Sequence, residues 1–386
     1  MNFELSEEQL AFQQVARDFA AKELAPKAAE WDEKKHFPID VIRRAGEMGF
    51  CGIYTREDVG GMNLGRLDAA VIFEELAAGC VSTTAYLTIH NMVTWMIDSF
   101  GKSDLRSVLV PELALGTKLG SYCLTEPGAG SDAASLRTTA TKKGDSYILN
   151  GTKAFISGAG ATQVLIVMAR TGDASPKGIS AFVVPAEAKG VSYGENEKKM
   201  GWNSQPTRIV NLENVEIPAS HLLGEEGEGF KIAMKGLDGG RINIGVCSIG
   251  GAQAALNHTH RYMHERKQFG KELAQFQALQ FKFADMLTDL VACRTLIRLA
   301  AAKLDAKDPQ ATSYCAMAKC FATDHGFEIA NNALQIFGGY GYTKDYPIER
   351  IVRDLRVHQI LEGTNEIMRV IISRRALEDA ALETLR

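Results

Sequence analysis

Among the residues able to do chemistry, Glu362 has the most informative setting. It lies in the stretch Gln335 to Arg374, QIFGGYGYTKDYPIERIVRDLRVHQILEGTNEIMRVIISR. Apolar residues at helical spacing (Ile348, Ile351, Val352, Leu355, Ile360) end at Leu361-Glu362-Gly363, and Thr364 or Asn365 then caps a second helix carrying Ile367, Met368 and Ile371. The pattern sets a carboxylate at a helix–helix junction, with a flexible glycine after it and the unpaired N–H groups of a helix start close by. Desolvation there would raise its pKa and equip it as a general base. Taken alone, Glu362 also reads as an ordinary helix-terminal glutamate, and those far outnumber bases.

Four other segments carry chemical types. Tyr122-Cys123-Leu124-Thr125-Glu126-Pro127-Gly128-Ala129-Gly130-Ser131-Asp132 joins a strand-like start to a glycine-rich loop. There a ligand could approach the backbone closely and meet the Thr125 and Ser131 hydroxyls, although the shape fits a plain turn equally well. Asp238-Gly239-Gly240-Arg241 sets two glycines in a long helical run. They cost about 1 kcal/mol each against alanine, which reads as a kink or as room for a ligand. Arg266-Lys267-Gln268-Phe269-Gly270 ends a helix with basic residues that complement its dipole and could also meet an anionic cofactor. His258, His260 and His264 include an i, i+4 pair, but without H-E-x-x-H or a neighbouring cysteine they predict no metal. Neither a G-x-x-x-x-G-K-[ST] loop nor a G-x-G-x-x-G helix opening is present, which disfavours a nicotinamide-binding Rossmann domain.

The elements that must position these residues fall into three blocks. Over 386 residues, 46% hydrophobic and 23% charged, the chain can bury a large core. At about 100–200 residues per domain it should hold two or three. A net charge of −4 gives no electrostatic footprint for nucleic acid or an anionic membrane. Seven scattered cysteines, never spaced C-x-x-C, read as reduced core thiols. Without a basic-then-apolar start or an apolar run near about 18 residues, the sequence predicts no secretion signal and no membrane insertion. The expected setting is cytoplasmic, or the mitochondrial matrix where a presequence has been removed.

The first block, 1–121, is helical: a capping box of Ser6 with Gln9 opens a helix that runs to Pro26, and further helices follow from Pro38 and over about 66–79 and 83–100, leading to Pro111 and Gly116. The second, 122–227, holds strands at Tyr147–Leu149, Ala154–Ile156, Val164–Met168, Ile179–Val184 and Ile209–Leu212, with no helices between them to build a parallel sheet. In the third, 228–386, long helical runs over about 228–266, 273–304 and 310–337 precede the two helices that flank Glu362, as in an antiparallel bundle.

Taken together, Y-C-L-T-E-P-G-A-G-S-D, R-K-Q-F-G, Q-I-F-G-G-Y-G-Y and E-G-T-N occur in the order and at the separations of the acyl-CoA dehydrogenases, and the chain resembles that family over essentially its whole length. The resemblance implies an α+β multidomain fold: an α-helical N-terminal domain, a middle β-barrel and a C-terminal four-helix bundle, assembled as a homotetramer. It also implies FAD. By motif position, Tyr122, Cys123, Leu124, Thr125, Gly130 and Ser131 would line the isoalloxazine and near pyrophosphate, with Phe155, Ile156 and Ser157 beside the ring. Arg266, Phe276, Gln277, Gln335, Ile336, Phe337, Gly338 and Gly339 would reach the ADP half, partly from a neighbouring subunit, and Thr364, Asn365 and Glu366 would meet the dinucleotide at a helix start. Acyl-CoA would be bound by Ser131, Asp238, Gly239, Gly240, Arg241 and Arg374.

The implied reaction is α,β-dehydrogenation of a thioester, with Glu362 taking the α-proton while the β-hydrogen leaves as hydride to the flavin. Hydrogen bonds to the thioester carbonyl, one from the Glu362 N–H, would stabilise the developing enolate. An electron-transfer flavoprotein would then collect the electrons. Some relatives carry the base near position 240, where this chain has glycine, which leaves Glu362. Many carry Trp where Phe155 stands, so the shape of the flavin wall differs. The segments A-F-I-S-G-A-G, G-W-N-S-Q-P-T-R and G-G-R-I-N-I most resemble the branch acting on isobutyryl-CoA in valine breakdown, giving methacrylyl-CoA. Straight short-chain or 2-methylbutyryl-CoA substrates, an oxygen-using oxidase and a non-catalytic flavin-binding scaffold are the other readings.

Overall fold

The structure, a computed structural model, describes residues 4–378 and 381–385, so the outermost residues of the expected first and third blocks lie outside it. Six helices come first: α1 (Glu7–Phe19), α2 (Ala28–Lys34), α3 (Ile39–Glu47), α4 (Arg66–Gly79), α5 (Val81–Phe100) and α6 (Ser103–Ala114). The Ser6 hydroxyl accepts from the Gln9 N–H, and the Gln9 side chain accepts from the Ser6 N–H, as a capping box requires. A π turn, Ala20–Leu24, prolongs α1 and stops short of Pro26. Pro111 does not end its helix: α6 continues through it to Ala114.

The middle of the chain gives β1 (Gly120–Cys123), β2 (Thr139–Lys143), β3 (Ser146–Ser157), β4 (Val164–Arg170), β5 (Ile179–Pro185), β6 (Val191–Tyr193), β7 (Thr207–Pro218) and β8 (Leu222–Leu223). They form one sheet in the order β6-β7-β3-β2-β4-β5-β8, with β1 paired to β4. Most pairs are antiparallel, and β4 takes parallel partners in β1 and β2. The alternation on β4 explains its unbroken apolar run. Val164, Ile166 and Met168 pack toward Met92, Val93 and Met96 of α5, while Leu165, Val167 and Ala169 face Leu149, Val210 and Val215 across the sheet's other core. The two short strands expected at 147–149 and 154–156 are one strand, because β3 stays paired to β7 across register shifts at Leu149/Gly151 and Lys153/Ile156.

Helices then return as α7 (Gly229–Glu265), α8 (Gln277–Asp305), α9 (Ala311–Phe337), α10 (Ile348–Arg356) and α11 (Asn365–Ala376), with a small hairpin of β9 (Lys267–Gln268) and β10 (Lys271–Glu272) after α7. Here α7, α8 and α9 pack on one another, and α10 and α11 lie on α9. Ile72, Phe73 and Leu76 of α4 share a core with Ile249, Leu290 and Ile297, so the first and third blocks are joined through buried apolar surface. Among the described residues no helix is long and apolar enough to cross a membrane.

One buried ion pair links the sheet to the glycine-rich loop. Lys153 Nζ, fully enclosed on β3, donates to Glu126 Oε1 at 2.8 Å and to the Leu124 carbonyl at 3.1 Å. The Glu126 carboxylate also accepts from the Arg137 and Thr138 N–H groups at 2.7 and 2.9 Å. Removing one partner of such a pair strands the other charge, at a cost of about 3–5 kcal/mol. Lys153→Met is therefore expected to lower the urea midpoint by that equivalent, and an unchanged midpoint would show that the pair does not hold the loop.

Candidate functional site

Glu362 sits where the expected junction places it, after a 3-10 turn (Val357–Gln359) and before α11, whose cap is Thr364 with its hydroxyl accepting from the Ile367 N–H at 3.3 Å. Both Glu362 (φ 55°) and Gly363 (φ 86°) adopt left-handed backbone. A non-glycine residue in that region needs surroundings that fix it. Lys319 of α9 provides them: its enclosed Nζ donates to the Gly363 carbonyl at 2.7 Å and to Asn365 Oδ1 at 2.8 Å. The Asn365 amide donates in turn to Asp324 at 2.7 Å and to Thr323 at 2.9 Å.

The strained turn aims the carboxylate at α7. Glu362 Oε2 is shut off from solvent and finds no hydrogen-bond partner among the described residues. A Cβ on Gly240 would lie 2.4 Å from that oxygen, so any side chain there would displace the carboxylate. The glycine pair does not break the helix: α7 runs unbroken from Gly229 to Glu265, and the missing side chains make room for close neighbours. Burial pushes the Glu362 carboxyl up to about 7, against the opposing pull of Arg241 and Lys319. Burial lowers Lys319 itself to about 8. Tyr122 stands within electrostatic reach of Glu362 and offers a buried hydroxyl with no partner among the described residues. Arg241 donates to Asp238 at 2.7 Å, and Asp238 also accepts from Thr312 at 2.7 Å.

The loop after β1 is braced by paired hydrogen bonds between Glu126 and Ala129 and by the Ala154 N–H reaching the Thr125 carbonyl at 2.9 Å. A Cβ on Gly128 or Gly130 would meet nothing within 4 Å, so the loop faces open space. Next to it Phe155 takes a left-handed φ of 58° and is 67% exposed, turned out of β3 by the register shift. An aromatic ring exposed at a strained position beside an open glycine loop fits the flat ring of a flavin. Cys123, Leu124 and Ile156 are buried in the sheet cores, so any contact with that ring would come from their main chain.

The other expected cofactor residues gather elsewhere. Arg266, Ile336, Phe337, Gly338 and Gly339 line a cavity of about 430 Å³ at the far end of α7, with the Arg266 guanidinium 5.4 Å from the Tyr340 ring centroid. A Cβ on Gly338 or Gly339 would meet nothing, which leaves room for an anionic group beside Arg266. Phe276 and Gln277 start α8 nearby, with Phe276 against Phe269 of the hairpin, and Gln335 is exposed. At 1.5 Å rise per residue, Gly240 and Arg266 are roughly 39 Å apart along α7. Within one chain the two clusters are thus separate. Ser131, Glu366 and Arg374 are exposed, and Arg374 lies in the last turn of α11. Tyr54, Arg66 and Lys319 are neighbours of the site that no local motif marks. A lone arginine or lysine inside a helical pattern carries no signal of burial.

Three domain families match the chain, described as acyl-CoA dehydrogenase N-terminal domain over residues 6–117, middle domain over 121–215 and C-terminal domain over 227–377. Mitochondrial isobutyryl-CoA dehydrogenases from Bos taurus and Dictyostelium discoideum are each 55% identical, covering 97% of this chain and 90% of theirs. The solved structure of butyryl-CoA dehydrogenase from Megasphaera elsdenii superposes with a TM-score of 0.95 at 39% identity, covering 98% of this chain and 100% of that one.

Proposed function

Since this chain belongs to the acyl-CoA dehydrogenase family, and so is an FAD-dependent oxidoreductase, we propose that it converts isobutyryl-CoA to methacrylyl-CoA with Glu362 as the α-proton base. The observation that carries the catalytic part is the unpartnered, solvent-shielded Oε2 of Glu362 against Gly240. The substrate part is supported by the 55% identity to isobutyryl-CoA dehydrogenases.

Proton abstraction from a thioester α-carbon needs a base held close and out of water. The left-handed turn fixed by Lys319 supplies the position, and burial supplies a carboxylate basic enough to act near neutral pH. The Glu362 N–H donates to no protein acceptor among the described residues, which leaves it available to the thioester carbonyl as enolate charge builds. Bound FAD supplies the acceptor for the β-hydride. Tyr122, Thr125, Gly130, Ser131, Phe155 and Ser157 would hold the flavin end. Arg266, Phe276, Gln277 and Gln335–Gly339 would hold the ADP end of a neighbouring copy's cofactor, and Thr364–Glu366 would help through the helix start.

The roughly 39 Å between the clusters supports a homo-oligomer, for which the homotetramer is the proposed form. So do the exposed apolar residues Phe281, Leu287 and Val291 along α8. Electron-transfer flavoprotein is the proposed electron acceptor, and Asp238, Gly239, Gly240, Arg241 and Arg374 are the proposed acyl-CoA contacts.

Anaerobic flavin bleaching by isobutyryl-, 2-methylbutyryl-, butyryl- and octanoyl-CoA tests the substrate. Fastest bleaching by isobutyryl-CoA is expected; faster bleaching by another chain would move the substrate, and none with any would remove the reaction.

A pH profile follows from the raised carboxyl. Below about 7 Glu362 holds its proton, so the rate of flavin reduction is expected to fall about tenfold per pH unit. The sign for stability is opposite. Between the ordinary carboxyl value and about 7 the folded form keeps a proton that the unfolded chain releases, so this group's contribution weakens as pH rises through that window. Lys319→Met removes a charge that favours the carboxylate, so the acid limb is expected to move up in pH. A limb that stays put would deny Lys319 any electrostatic role.

A further inference from the structure

Next to the glycine that admits Glu362, Gly239 admits a second buried charge. The Arg66 side chain from the start of α4 is 8% exposed, and its Nη1 has no hydrogen-bond partner among the described residues. A Cβ on Gly239 would lie 2.4 Å from that Nη1 and 2.8 Å from Cζ. The guanidinium carbon lies over the Tyr54 ring, 3.6 Å from its centroid, with the Trp95 ring centroid at 5.3 Å. Asp305 is turned to the Arg66 main chain, accepting from its backbone N–H at 2.7 Å. Tyr54 links the two charges: it feels both Arg66 and Glu362, and its hydroxyl accepts from Asn243 at 3.3 Å.

A buried guanidinium with an unused donor is expensive to keep, so its place invites a role. Adjacent residues on α7 point about 100° apart. The surface over Gly239 therefore lies beside the place over Gly240 where an acyl α-carbon would meet Glu362. That surface is filled by Arg66 stacked between Tyr54 and α7. A short branched acyl group would end before it. A longer chain would have to expel the guanidinium or lie against an N–H that it cannot satisfy, and both are unfavourable.

We propose that Arg66 is the specificity-determining end wall of the acyl pocket, limiting substrates to short chains by filling the space over Gly239 and presenting an unsatisfied donor to anything longer. The proposal rests on the acyl-CoA reading of this site, and flavin reduction by isobutyryl-CoA in the unaltered holoenzyme tests that reading separately.

The test compares kcat/KM for hexanoyl-CoA and isobutyryl-CoA in the holoenzyme and in Arg66→Ala and Arg66→Met. One misfitting methylene changes discrimination by about 10–200-fold, so the hexanoyl-to-isobutyryl ratio is expected to rise at least about tenfold in Arg66→Ala. Arg66→Met keeps a long side chain on Tyr54 but removes the donor, and should raise the ratio by a smaller factor; it carries the test alone if the alanine variant does not fold. A ratio unchanged in the folded variants, or an equal loss for both substrates, would overturn the proposal and leave Arg66 a packing residue.

Discussion

Glu362→Gln is expected to bind FAD and fold normally yet reduce the flavin with isobutyryl-CoA about 10²–10⁴-fold more slowly, the range a positioned general base supplies. The amide has the carboxylate's shape but cannot take the α-proton. Stability should not suffer. Burial already disfavours the ionised form of Glu362, so above about pH 7 a neutral amide relieves a desolvated charge that has no hydrogen-bond partner at Oε2 among the described residues. The expected signature is a Tm at pH 8 equal to or above that of the unaltered protein, together with a collapsed rate of flavin reduction in rapid mixing. Turnover at the normal rate would place the base elsewhere.

Gly240→Ala should separate activity from stability just as sharply. In an ordinary helix interior alanine is better than glycine by about 1 kcal/mol, so the substitution favours α7 locally. Its new Cβ would lie 2.4 Å from Glu362 Oε2 and 3.0 Å from Cδ, closer than carbon and oxygen can approach. The carboxylate must then swing away from the substrate. A displacement of about 1 Å at the reacting group costs about 10²-fold. Flavin reduction is therefore expected to fall about 10²-fold while thermal stability holds. An active Gly240→Ala would mean that Glu362 does not work from the position seen here.

Much of this arrangement is written in local sequence. The α, β, α order follows from hydrophobic periods that switch from helical to short runs near Tyr122 and back near Gly229, and long elements with many apolar contacts obey such periods. The Glu362 junction is legible because its caps and glycine are local. The register shift that turns out Phe155 is not, since it depends on β7 pairing along the whole of β3. Nor is the course of α6 through Pro111. The double glycine in α7 shows the limit best. Its local reading offers a kink or a ligand, whereas the structure sets Arg66 against Gly239 and Glu362 against Gly240, from segments 173 and 122 residues away in sequence. Lys319 is hidden for the same reason: what makes it a support for the Glu362 turn is a carbonyl 44 residues on.

The most direct measurement of the central claim is the rate of flavin reduction by isobutyryl-CoA and by its α-deuterated form, followed by rapid anaerobic mixing across neutral pH. If Glu362 takes the α-proton from its shielded place on Gly240, deuterium slows the reaction and the rate falls as pH drops below about 7. A rate indifferent to both deuterium and pH would contradict the assignment.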